Sequence, residues 1–439
     1  MASASPPPAI DPVLVERVAS AVARHRDRIL EVFRDLVRIP SETHPPGGDE
    51  GPAQRYVEDR MRELGLQPDV FEPWSVPGIE GHPGWWPGLD YADRPNVVGT
   101  WAGSGGGRSL ILNGHIDVVP VGSEDLWSAP PFEPVIRDGR LYGRGSGDMK
   151  AGIAAYVIAF EALRTLGLQP AAPVWLQSVV EEECTGNGAL ACLKHGYRAD
   201  AAIIPEPFDH SVLTAQVGVI WLSLEVLGRP AHVLDVSRGI NAIEATYALY
   251  RGLQTLRDDW NAPQARHPAF AGVERPINFN LGRIQGGEWT SSVPTRCVAD
   301  IRCGFYPGVS VGEARAAIEE RLARTARSDP SLQGVQYRIR YAGLQSEGVV
   351  IDRAQPLVET LVAAHEQVTG TPTRYFASTA TTDVRVFNLY GDTPATCYGP
   401  ESSHIHGIDE SVSLESTRKV TQVLALFIAR WCGVQKAGA

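Results

Sequence analysis

Apolar residues recur at close to 3.6-residue spacing between Pro12 and Val37, through Val15, Val18, Val22, Ile29, Val32 and Leu36, and this period predicts a helix. A second helix is expected from about Gly51 to Leu64. The next apolar segments are short and nearly continuous: NVVGTW at 96–101, SLILNGHIDVV at 109–119 and PVWLQSVV at 173–180, with a helical pattern across Ile153–Leu166 between the last two. Short runs without alternation read as strands covered on both faces, and their alternation with helices predicts an α/β domain with a largely parallel sheet. The stretch VPGIEGHPGWWPGLDYADRP at 76–95 is too rich in Pro and Gly for regular structure. A loop of that length carrying Trp85, Trp86 and Tyr91 has the character of a binding-site loop.

After about Leu213 the texture changes. The pattern reads strand (VIWLSLEVLG), helix (NAIEATYALYRGLQTL), strand (INFNLGRIQ), strand (TRCVADIRCGF), helix (VGEARAAIEERLARTA) and strand (VQYRIRYA). That is βαββαβ, the ferredoxin-like order, which closes a compact domain on its own. The remaining chain returns to helix, strand and helix. The expected fold class is therefore α/β, a mixed, mostly parallel sheet flanked by helices, with an inserted ferredoxin-like βαββαβ domain. Residues 1–212 and 344–439 are expected to form a discontinuous catalytic domain, and 213–343 the insertion.

A chain of 439 residues exceeds one ordinary core, in keeping with two domains. The formal charge of −11, without a Lys/Arg-rich block, argues against nucleic acid and anionic membranes as partners. No apolar stretch reaches the roughly 18 residues of a transmembrane helix. The N-terminus MASASPPPAIDP has neither a basic region nor an apolar core and reads as a short disordered lead-in, so a cytoplasmic location is expected. The six cysteines are scattered, without a C-x-x-C pair, which predicts reduced thiols. A metal here would be held by His and carboxylates.

In open α/β sheets ligands bind beyond the carboxyl ends of the strands. Four polar clusters fall at such ends: His115 and Asp117, Gly147 and Asp148, Glu181-Glu182-Glu183, and Glu206. A fifth, His404-Ile405-His406 followed by Asp409-Glu410, lies after the last strand. Three carboxylates directly behind a buried strand need a cation or other partner. Imidazoles with several carboxylates and no Cys pair form the donor set of a divalent-metal hydrolase, with zinc the first candidate. Asp117, two residues beyond His115, is placed to accept the imidazole's other N–H and fix the metal-binding tautomer.

These motifs, GHIDVVP, GRGSGDMKAG, VVEEECTGNGA, PEP at 205–207, GRPAH and HGIDE, resemble in order those of the acetylornithine deacetylase, succinyl-diaminopimelate desuccinylase and carboxypeptidase G family, over about Asp11 to Ala429. The resemblance implies the zinc-peptidase type of fold and two Zn2+ ions per chain, or Co2+ or Mn2+, bridged by Asp148 and a water. His115 and Glu206 would hold one ion, Glu183 and His406 the other, with His404 as the alternative to His406. Glu182 would be the general base and Asp117 the residue orienting His115. The resemblance further implies a cis peptide at Asp148–Met149, and makes the inserted domain a lid and dimerisation domain. From it His232 would reach a partner subunit's active site and stabilise the oxyanion of a homodimer. Arg302, Ser291 and Gly399 are the substrate-binding candidates. Two positions depart from the family: Glu181 stands where Asp is usual, and Ser291-Ser292-Val293-Pro294 lacks the usual Asn.

Two cations polarise an amide carbonyl and acidify a shared water, while a nearby unbound carboxylate moves its proton to the leaving amine. The expected function is thus deacylation of an N-acyl amino acid or related N-acyl amine. Glu206 agrees with this, because the resemblance associates Glu there with deacylases and carboxypeptidases. A dipeptidase or carboxypeptidase is the alternative within the enzymes, a heterocyclic N-formyl amine is a third substrate class, and an inactive binding protein of the same fold is the non-enzyme reading.

Overall fold

The protein is described by a computed structural model over residues 11–437; Met1–Ile10, where the sequence suggests a disordered lead-in, lie outside the described residues. The chain divides into two compact units. The first contains the residues up to Thr214, Ile351–Phe376 and those from Thr382 onward; the second contains Ala215–Val350 and Ala377–Thr381. The strand Gln336–Ser346 outlasts the sequence-based boundary at 343, because its pairing with Gly218–Leu227 continues to Ser346 opposite Val219.

The first unit is built on a six-stranded sheet in the order Ala395–Cys397, Ala202–Ile204, Leu110–His115, Val174–Val179, Asn96–Trp101, Pro68–Phe71. The first four run parallel, Asn96–Trp101 runs against them and Pro68–Phe71 pairs antiparallel with Asn96–Trp101, a mixed, mostly parallel sheet. Every residue of Leu110–His115 is buried, as a strand with helices over both sheet faces requires. Gly114 interrupts the apolar run because a Cβ there would lie 2.9 Å from Ile153 Cγ1. The helix Ala151–Thr165 crosses that close, and it is apolar nearly all round because it packs against the sheet and the helices Pro12–Arg24 and Leu414–Trp431.

The N-terminal helical pattern is two helices, Pro12–Arg24 and Arg26–Arg38, separated at His25 (φ −89°, ψ 10°). No Gly or Pro marks that break. The His25 imidazole meets the Ala21 carbonyl at 2.8 Å; both helices pack on Ala151–Thr165, the first also on Leu414–Trp431 and the second also on the segment Ser146–Lys150. The helix Gly51–Glu63 forms as the pattern predicts. The 76–95 loop contains only a short 3-10 turn at Ile79–Gly81. All six cysteines are buried and free, and no helix among the described residues is long and apolar enough to cross a membrane.

The second unit follows the expected βαββαβ path: Gly218–Leu227, helix Ala242–Asn261, Phe279–Gly286, Arg296–Phe305, helix Val311–Ser328, Gln336–Ser346. Its antiparallel sheet has the first strand in chain order between the third and the fourth, the ferredoxin-like arrangement. From Ile220 onward the strand Gly218–Leu227 alternates buried and half-buried residues. Its inward side chains, Leu222, Leu224 and Val226, meet Leu249 and Leu253 from one helix and Ile318 and Leu322 from the other. A capping box at Ser310 and Glu313 starts the second helix.

Candidate metal centre

The carboxyl ends of the parallel strands bring the polar clusters of the first unit together. The strand Leu110–His115 delivers His115, fully buried, at its last position. The strand Val174–Val179 pairs with it in parallel register, His115 opposite Val179, so the Glu181-Glu182-Glu183 run emerges beside the imidazole. Glu206 leaves the neighbouring strand Ala202–Ile204, and Asp148 sits in the turn that opens the helix Ala151–Thr165. The peptide bond Asp148–Met149 is cis.

Two donor groups result. His115, Asp148 and Glu206 form one, and Asp148, Glu183 and His406 the other, with the donor atoms of each group within 4.8 Å of one another. Asp148 belongs to both: its Oδ1 lies 3.1 Å from His115 Nε2 and its Oδ2 3.3 Å from His406 Nε2. Glu206 approaches His115 Nε2 at 3.8 Å, and Glu183 approaches His406 Nε2 at 3.1 Å. His404 is exposed and a member of neither group.

The electrostatics are those of a site that demands positive charge. Burial alone would depress His115, yet its contact with Asp148 and the field of Glu206 and Asp117 raise it well above the usual imidazole range. Glu183, ahead of the opposing effect of burial, raises His406 to about 11, with Asp148 adding to it. Burial would lift Asp148, but the two imidazoles override it and hold its carboxyl far below the ordinary range. Glu206 is driven well above its ordinary value by burial and then by Asp148. Two imidazoles and three carboxylates, without a thiol, fit zinc or a similar borderline-hard ion.

The surrounding contacts set these donors in place. His115 Nδ1 faces the backbone carbonyl of Asp117 at 2.9 Å, while the Asp117 carboxylate is 3.6 Å away. That carboxylate accepts the backbone N–H groups of Glu182 (3.2 Å) and Glu183 (3.1 Å), so Asp117 holds both the imidazole and the turn carrying the glutamates. The three glutamates go to three partners. Glu181 pairs with buried Arg94, which also pairs with Glu50; Glu183 faces His406; Glu182 lies 3.5 Å from Arg385 Nη1. Burial pushes Glu182 up to about 8, against the opposing field of His115.

Several of these supports are absent from the sequence-based set. Arg94 and Glu50 are joined across 44 positions, and Arg385 reaches Glu182 across 203. Glu410 accepts the backbone N–H groups of Gly145 (3.1 Å), Gly147 (2.8 Å) and Asp148 (3.0 Å), and pairs with Arg144 at 2.6 Å. Lys150 Nζ donates to the carbonyls of Leu36 (2.9 Å) and Ile39 (2.8 Å), closing the C-terminal end of the helix Arg26–Arg38. The available signal was charged residues inside otherwise buried motifs: Arg144 and Lys150 in GRGSGDMKAG, and Arg385 in TTDVRVF.

Of the substrate-binding candidates, Gly399 packs on the Glu206 turn, where a Cβ would meet the Glu206 carbonyl at 2.2 Å. His232, Ser291 and Arg302 belong to the second unit. His232 is exposed, with Nδ1 accepting the Leu234 N–H at 3.1 Å. Ser291 is exposed, and Arg302 Nη2 donates to the Thr379 carbonyl at 2.9 Å. The aromatic loop docks on the turn after the glutamates: Asn187, fully buried, accepts Trp86 N–H at 2.9 Å and donates to Trp86 O at 2.7 Å and to Tyr91 Oη at 2.8 Å.

A fold of this kind with this donor set defines a metal-dependent hydrolase, and the sequence comparisons place it. The pattern of Peptidase family M20/M25/M40 matches residues 111–430, and the chain belongs to that family. It is a metal-dependent amidohydrolase. The chain is 29% identical to the N-formyl-4-amino-5-aminomethyl-2-methylpyrimidine deformylase of Halalkalibacterium halodurans over 97% of its own length and 99% of that protein. It is 28% identical to the Bacillus subtilis protein of the same name, over 94% and 97%. Human carnosine dipeptidase 1 shares the fold, with a TM-score of 0.76 at 17% identity, covering 97% of this chain and 100% of that one.

Proposed function

We propose that the enzyme removes a small acyl group, formyl foremost, from the amino group of an aminomethyl-substituted heteroaromatic amine. The observation that carries this is the end-to-end match to two deformylases of such an aminopyrimidine. The docked loop with half-buried Trp85 and Trp86 supports a flat amine, since an aromatic ring stacks on such side chains. In this reading His115 and Glu206 would hold one ion and Glu183 and His406 the other, with Asp148 belonging to both donor groups. Two bound Zn2+, or Co2+ or Mn2+, would polarise the formamide carbonyl and acidify a water. Glu182, near the donors yet outside both groups, takes the water's proton as its oxygen bonds to the carbonyl carbon. Glu182 then returns that proton to the nitrogen as the C–N bond breaks, so formate and the free amine leave. Asp117 keeps His115 in the orientation that presents Nε2 to the metal.

The second unit is proposed as the lid and dimerisation domain, with His232 completing the active site of a partner subunit. Two features support this. Acceptance at Nδ1 leaves the His232 proton on Nε2, available to an oxyanion. Around it Val233, Leu234, Val236 and Trp289 are exposed, and Leu234 and Trp289 are 89% and 73% accessible, apolar surface of the kind an interface covers. Arg302 and Ser291 are proposed to contact the substrate beyond its amide.

The test is amine release from N-formyl, N-acetyl and N-succinyl forms of an aminomethylpyrimidine and of amino acids, and from dipeptides, with zinc or cobalt and a chelator control. Chelator-sensitive hydrolysis of the N-formyl pyrimidine well above the rest is the expected result. Preference for N-acyl amino acids or dipeptides would replace the heteroaromatic amine as substrate.

A further inference from the structure

We infer that Arg385, set by Asp383, is a positioning residue that aims the Glu182 carboxylate; the inference rests on the reading of Glu182 as the base. A base that must touch water without binding metal needs a fixed side chain, and the Glu182 backbone alone, held at N–H by Asp117, does not provide that. The side-chain contact is Arg385 Nη1 to Glu182 Oε1 at 3.5 Å, with both groups buried. Arg385 belongs to the short helix Val384–Tyr390 of the same unit and is 2% exposed.

The guanidinium has little freedom. Its Nη2 lies 3.9 Å from Asp383 Oδ1 on the other side. A Cβ at Gly186 (φ +78°), three residues beyond Glu183, would come within 2.4 Å of Nη2 and 3.1 Å of Asp383 Oδ1. Glycine there lets the backbone after the glutamates lie directly on the Arg385–Asp383 pair, so the helix and the Glu182 turn are registered to each other. Asp383 is buried with neither carboxylate oxygen hydrogen-bonded, and Arg385 Nη2 also lacks a hydrogen bond. A buried pair held at ion-pair distance but not hydrogen-bonded contributes little to stability. Its placement, with Nη2 of the guanidinium toward Asp383 and Nη1 toward Glu182, accounts for its presence through Glu182. In the working enzyme the 3.5 Å contact closes to a charge-assisted hydrogen bond, which fixes the carboxylate in direction as well as distance.

Misplacing a reacting group by about 1 Å is enough to cost on the order of 100-fold in rate. Arg385→Ala is therefore expected to lower kcat about 100-fold with KM within about threefold and zinc content as in the parent. Arg385→Lys should restore about tenfold of the loss, since an ammonium reaches Glu182 without the fork geometry. Because removing one partner of a buried pair can prevent folding, Asp383→Asn with Arg385→Gln, which removes both charges, is made alongside. Crystal structures of the zinc-loaded proteins give the readout that does not depend on turnover. The Glu182 carboxylate should shift by about 1 Å or more in the variants while the five donors stay in place. A kcat within threefold of the parent, or an unmoved Glu182, would overturn the inference. Glu182→Gln is assayed in parallel: if it stays active, the base reading itself is wrong, whereas an inactive Glu182→Gln with an unaffected Arg385→Ala overturns only the role of Arg385.

Discussion

Glu410 offers the sharpest test of how this centre is held, because its carboxylate takes four donors and a change of one atom sets two of them against an NH2 group. Each carboxylate oxygen takes two donors: Oε1 those of Gly147 and Asp148, Oε2 those of Arg144 and Gly145. Glu410→Gln keeps the shape and opens no cavity, yet its NH2 must face two donors whichever way the amide turns. One buried backbone N–H left unpaired costs about 1–3 kcal/mol. Arg144, 1% exposed, loses its charge partner, and breaking a buried pair costs about 3–5 kcal/mol. The terms overlap, so a loss of about 3–5 kcal/mol is expected, a large share of the roughly 5–15 kcal/mol of an ordinary domain. The segment loosened is the one that carries Asp148, so zinc affinity should fall about 10–100-fold. Urea unfolding of the chelator-treated protein measures the first, and zinc titration against a chromophoric chelator the second. A midpoint shift worth under about 1 kcal/mol together with a zinc affinity within threefold of the parent would refute the reasoning.

His406→Ala should lose bound metal and activity, whereas His404→Ala, at an exposed position outside both donor groups, should keep its metal; metal analysis of the two proteins separates them. His365 is held neutral, pushed down to about 4 by burial and then by neighbouring His210, with Nδ1 on the Tyr398 hydroxyl at 2.7 Å. The folded state then binds fewer protons than the unfolded between about pH 6.5 and 4, so stability should fall as pH drops through that window. His365→Gln should flatten this slope in urea titrations of metal-free protein, and an unchanged slope would exclude the residue. Asn187→Leu removes three hydrogen bonds to the aromatic loop, so KM for the N-formyl pyrimidine should rise about tenfold or more with metal content unchanged, measured by steady-state kinetics.

The clustering of the candidate donors was legible because the sequence puts chemistry where an α/β sheet must expose it. An apolar run that ends in His115 and another that ends in three glutamates are strand ends in the sequence pattern, whereas Asp148, also expected at a strand end, stands in the turn that opens the helix Ala151–Thr165. The order of elements in the second unit was legible for the same reason, each strand or helix having its own period. What the sequence hid are pairings between distant positions. Nothing near Glu182 announces Arg385, nothing near Asp148 announces Glu410, and EEE does not say which carboxylate will meet Arg94, Arg385 or His406. The role of Asp117 was half visible: its place beside His115 was clear, but not that its carboxylate holds the Glu182 and Glu183 amides while its carbonyl meets the imidazole. The break at His25 was invisible because no Gly or Pro marks it in the sequence.

The central claim, that five side chains of one unit hold two ions bridged by Asp148, is tested most directly by anomalous diffraction at the zinc edge from crystals of the zinc-loaded protein. Two peaks roughly 3.5–4 Å apart are predicted, one on His115 and Glu206, the other on Glu183 and His406, with an Asp148 oxygen on each. A single peak, or ions placed on other residues, would contradict the account.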